Sequence, residues 1–153
     1  MSTMTPPYRR LQHTEGEVHA VMGDPMRFIM TGAHTGGGYA LSEQTVRPGN
    51  GAPPHIHHNE EEAFYILEGT FRITVEDEAH ELQQGDFLHV QRGAVRSFTN
   101  IGEADGRVLI LHAPGSAAEF YIRMGQLPFP PDIADIIKLG DEYGIEVVAP
   151  PAV

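Results

Sequence analysis

The chain has 153 residues, enough for one domain with a real core, and its 41% hydrophobic and 20% charged content is that of an ordinary globular protein. It has no cysteine, which excludes disulfides, thiolate catalysis and iron–sulfur sites, and its net charge of −11 repels phosphate backbones. No segment reaches the ~20 apolar residues of a membrane span, and "MSTMTPPYRR" lacks a signal peptide's apolar centre, so a cytoplasmic protein without nucleic-acid or membrane partners is expected.

Residues 1–16 are polar and read as a loose arm. "EVHAVM" (17–22) and "MRFIMTG" (26–32) read as strands around a turn at Gly23-Asp24-Pro25, and "HTGGG" as a connection rather than a phosphate loop. "YALSEQTV" is a strand stopped by "RPGNGAPP". Strands then recur near 54–58, 62–67, 70–76, 79–83, 86–90, 95–99 and 107–112, broken by "EGT", "EDE", "QQGD", "QRGA" and "NIGEADG". Short strands at this spacing predict an all-β antiparallel barrel or sandwich over residues 17–115. Residues 116–153 carry a short helix in which Ile133, Ile136 and Ile137 share a face, Asp132 caps the start and Gly140 ends the turn. "IEVVAPP" offers a final edge strand.

The segment 55–62, "HIHHNEEE", holds three histidines and three glutamates. On an extended chain His55 and His57 share a face with Cα atoms about 6–7 Å apart, while His58 points away. Glu62 heads a face continued by Phe64 and Ile66, whereas Glu60 and Glu61 fall in the connecting turn, expected in solvent. Such a cluster either converges on a metal ion or decorates a wet surface.

The spacing Gly49, five residues, His55-x-His57, four residues, Glu62, six residues, Gly69 resembles the first signature motif of the cupin superfamily, in the style of small quercetinase-like members. The second motif is recognisable in "GDFLHVQRGAVRSFTN": Gly85, Gly93 and Asn100 match, but Gln91 replaces a proline and Arg96 replaces the last ligand histidine. The resemblance covers roughly residues 38–115. It implies a cupin jelly-roll β-barrel, a homodimer, and a divalent metal (Fe, Ni, Mn or Zn) on His55, His57 and Glu62.

Two histidines and a carboxylate are a sufficient ligand set, but an unpaired guanidinium about 6 Å from the ion would repel it by roughly 5–6 kcal/mol. Three readings follow. In the first, a metal-dependent dioxygenase holds its ion on His55, His57 and Glu62, and Arg96 binds a small aromatic or enolic anion. In the second, Arg96 pairs with Glu62 in a metal-free barrel acting as a cyclase or isomerase. In the third, the barrel is a non-catalytic small-molecule-binding module. Glu62 and Arg96 are the candidate catalytic residues, and Phe64, Ile66, Arg96 and Phe98 the candidate pocket wall. His89 and His112 are possible surrogate ligands, with a solvent-facing or core position favoured for each; His13, His19, His34 and His80 receive no role.

Overall fold

Among the described residues eleven strands form where alternating apolar residues meet turn glycines, as the sequence pattern requires. The computed structural model describes residues 6–148. Its strands are β1 (Glu17–Val21), β2 (Asp24–Met30), β3 (Ala40–Val46), β4 (Gly51–His57), β5 (Glu61–Glu68), β6 (Thr70–Val75), β7 (Glu78–Gln83), β8 (Phe87–Val90), β9 (Val95–Asn100), β10 (Gly106–Ala113) and β11 (Ile145–Val147). They make two antiparallel sheets, ordered β1-β2-β3-β10-β5-β8 and β11-β4-β9-β6-β7. This is the jelly-roll arrangement that the resemblance implies. Gly69, between β5 and β6, has φ of 91° and an added Cβ would lie 3.0 Å from the Gly106 Cα, so only glycine fits this turn.

One apolar cluster joins the sheets: Val46, Phe64, Ile66 and Val108 from the first meet Phe71, Ile73 and Phe98 from the second. Each fully buried large side chain there contributes roughly 1.5–3 kcal/mol by leaving water. A second cluster, with Met26, Phe28, Phe120, Ile136, Leu139 and Ile145, lies where helices cover the first sheet's early strands.

The C-terminal region departs from the expected single short helix. It contains two, α1 (Ala117–Gly125) and α2 (Ile133–Tyr143). In α1 the buried Ala118, Phe120, Ile122 and Met124 alternate as strand residues would, which hides the helical period. Asp132 caps α2 as expected, its carboxylate accepting from the Ala134 N–H at 3.0 Å. Gly140 does not end it; the helix continues to Tyr143 and Gly144 closes it with φ of 70°. Gly140 is instead where β11 crosses the helix, since a Cβ there would run into the Ile145 carbonyl oxygen. The bend before β2 is at Met22–Gly23, and Asp24 and Pro25 already belong to the strand.

β11 pairs with β4, Ile145 opposite His57 and Val147 opposite His55, so the tail lies along the strand carrying the histidines. Of the arm expected over residues 1–16, residues 1–5 lie outside the described residues, and residues 9–15 are tied to β2: Arg27 donates to the Glu15 and Gln12 carbonyls at 2.7 and 2.9 Å, and Arg9 to that of Ile29 at 3.0 Å. Among the described residues no helix is long and apolar enough to cross a membrane.

Candidate metal centre

Strand parity brings His55 and His57 inward from β4, while His58 is exposed. Glu62 enters from β5, and the ligand atoms of these three buried residues lie within 4.8 Å of one another.

Backbone and side-chain partners fix how each histidine presents itself. The His55 Nδ1 lies 2.7 Å from the Pro53 carbonyl oxygen. A carbonyl only accepts, so Nδ1 carries the proton and the buried Nε2 lone pair has no partner in the protein. His57 Nδ1 lies 3.2 Å from Glu60 Oε2, while Glu60 Oε1 accepts from Ser116 Oγ at 2.9 Å. Glu60 is therefore not in solvent as expected: it is fully buried, turned inward beneath the start of α1 to orient His57. Glu61 does remain at the surface, within ion-pair distance of His89 at 2.9 Å and Arg92 at 3.4 Å. That contact also places His89 outside the site.

His112 is the site residue that sequence parity left open. It lies opposite Glu62 in the β10–β5 register, and its Nε2 donates to Glu62 Oε2 at 2.6 Å. The other Glu62 oxygen, Oε1, has no hydrogen-bond partner. Tyr121 of α1 completes the group, its hydroxyl 3.1 Å from His57 Nε2 and its ring stacked on His112 at 5.4 Å between centroids. No sequence signal marked Tyr121.

Arg96 is fully buried on β9, directly opposite His55. Its Nη2 donates to the Gln91 carbonyl at 2.7 Å and its Nη1 stands 3.8 Å from Glu62 Oε1, while Nε and Nη1 make no hydrogen bond. A cavity of about 70 Å³ opens beside the centre, with His55, Glu62, His112, Tyr121 and Gln44 at its polar end. Phe98, Ile110, Phe120, Met124, Ile136 and Ile137 are among its apolar walls. Of the expected pocket residues only Phe98 lines it. Phe64 and Ile66 are spent in the core between the sheets, and Arg96 stands behind Glu62.

Burial lowers the His55 pKa to about 4, opposed by the charge of Glu62, and burial likewise lowers that of His57. For Glu62, burial pushes upward but is outweighed by His57 and His112, which hold the carboxyl below its usual range. Burial, reinforced by Glu62, pushes the Tyr121 phenol well above its ordinary value. A histidine whose folded pKa is depressed contributes stability that is complete above the unfolded value and lost as pH falls toward the folded one. Chelator-treated protein is therefore expected to lose stability between about pH 6.5 and 4, His55 accounting for roughly 2–3 kcal/mol. Urea unfolding of wild type and His55→Gln across this range checks it, the variant showing the flatter profile.

The family model for the Cupin domain matches residues 42–112, and over 105 residues the chain is 30% identical to the uncharacterised protein SCO3923 of Streptomyces coelicolor. The chain is a cupin. The SCO3923 match covers 69% of this cupin and 93% of that protein. Quercetin 2,3-dioxygenase of Bacillus subtilis is 28% identical over 75% of this chain and 34% of its own. The chain spans only 60% and 48% of the first curated relatives it matches. In fold it is similar to the polyketide cyclase RemF from Streptomyces resistomycificus, with a TM-score of 0.60 at 21% identity over 69% of this chain and 79% of that one. The family match ends at His112, so α1, with Ser116 and Tyr121, lies outside it.

Proposed function

We propose that this cupin holds a divalent metal ion on His55, His57 and Glu62 and acts as a dioxygenase-type enzyme on a small aromatic or enolic compound. One observation carries the reading: the buried His55 Nε2 has no protein partner, and ligand atoms of His55, His57 and Glu62 lie within 4.8 Å of one another, with Glu62 Oε2 3.6 Å from His57 Nε2. Leaving such groups unpaired is costly, and a cation satisfies them together. The donor set is the two-histidine, one-carboxylate type suited to Fe(II) and related ions, and when bound such an ion supplies Lewis acidity and open positions for O₂ and a substrate oxygen.

The chain's own groups support this. The Pro53 carbonyl and Glu60 hold the histidine Nδ1 protons, leaving each Nε2 to face the centre. The His112 N–H keeps Glu62 oriented. The apolar walls suit an aromatic body and exclude water, and Gln44, Tyr121 and His112 offer hydrogen bonds to its oxygens. The similarity to quercetin 2,3-dioxygenase points the same way. Because Arg96 does not line the cavity, it would act on a bound compound through its field and not by direct contact.

A second reading, a metal-free cyclase, isomerase or binding module, is favoured by the 3.8 Å approach of Arg96 to Glu62, the pairing it requires. Elemental analysis of tag-free protein, metal-loaded and then dialysed, separates the two. About one ion per chain is expected for wild type and little for His57→Ala. No retained ion in wild type, or turnover of phenolic substrates that survives chelation, would replace the first reading with the second.

A further inference from the structure

The helix beyond the family-matched segment brings two hydroxyls to the centre. Ser116, at the start of α1, holds Glu60 at 2.9 Å, and Tyr121, about a turn and a half later, approaches His57 Nε2 at 3.1 Å. These contacts are linked through the imidazole. Glu60 accepts a hydrogen bond from the Nδ1–H of His57, so Nε2 has only a lone pair and the phenol must be the donor. The same lone pair is the one His57 offers to an ion. A nitrogen accepting the phenol proton has nothing left with which to ligate.

We propose that Tyr121 is a positioning residue that caps His57 Nε2 while the centre holds no ion and releases it when an ion binds, leaving the phenol free in the cavity it lines. This rests on the metal reading above. The phenol has somewhere to go, since Tyr121 forms part of the cavity wall and its side is stacked on His112 rather than locked by a second hydrogen bond among the described residues. The cap makes apoprotein and ion compete for one atom, and so fixes the sign of a substitution. Tyr121→Phe keeps the ring and its stacking but removes the competitor.

Calorimetric titration of chelator-treated wild type, Tyr121→Phe and His55→Ala with Zn²⁺ provides the test. Tyr121→Phe is expected to bind Zn²⁺ roughly two- to tenfold more tightly than wild type, the gain from deleting one neutral hydrogen bond that ligation must break. Zn²⁺ should also change the tyrosine near-ultraviolet circular dichroism of wild type, and much of that change should vanish in Tyr121→Phe. Equal affinity would overturn the cap, and weaker binding would make the phenol a ligand instead. Binding undiminished in His55→Ala would instead overturn the metal reading, and binding by neither wild type nor Tyr121→Phe would remove both.

Discussion

Glu62→Ala is expected to lower the unfolding free energy by about 3–5 kcal/mol, even in protein stripped of metal. Among the described residues Arg96, whose side chain is 0% exposed, has Glu62 as its ion-pair partner and the neutral Gln91 carbonyl as its hydrogen-bond partner. Truncation strands that guanidinium among groups that cannot solvate it, with Nε and Nη1 already unpartnered. It also removes the acceptor of the 2.6 Å bond from His112. The cost is an uncompensated charge, so it should be largely reversed when the charge goes too. The double variant Glu62→Ala/Arg96→Met is therefore expected to recover most of the loss. Urea denaturation of the four proteins of this cycle, with chelator present, measures it. A loss below about 1 kcal/mol for the single variant would mean that solvent or another group neutralises Arg96.

Arg96→His is expected to strengthen divalent-ion binding by one to three orders of magnitude. A unit cation and a divalent ion about 6 Å apart repel by roughly 5 kcal/mol at an effective dielectric near 20. Glu62, 3.8 Å from Nη1, already offsets part of that field, which is why the expected gain is smaller than the full repulsion. The substitution also places an imidazole opposite His55 on β9, where the resemblance to other cupins expects a ligand. It costs stability, because the Gln91 carbonyl loses its donor and the smaller side chain leaves a void. Arg96→Leu resolves the two contributions, since it removes the charge without adding a donor. Competition against a chromophoric chelator reads both variants. If neither tightens binding, the ion does not sit where Arg96 can feel it.

The sequence by itself determined the strand succession, the inward aim of His55, His57 and Glu62, and the cap of α2. These depend on period-two alternation, turn glycines and side chains acting within a few residues, all local properties. It misjudged the span of α2 because Gly140 looks like a stop until β11 is seen crossing there. It could not place His112, because "RVLILHA" is apolar on both parities; only pairing with β5 shows that Val108, Ile110 and His112 face inward while Leu111 is exposed. Glu60 is locally a turn residue, and only the arrival of α1 buries it against Ser116, 56 residues away. Tyr121 meets His57 across 64 residues, and His112 meets Glu62 across 50. Such meetings are decided by how sheets and helices pack, which no window along the chain contains. The tertiary structure therefore decided which polar groups share the centre, which aromatic residues became core instead of cavity wall, and that Arg96 stands behind Glu62.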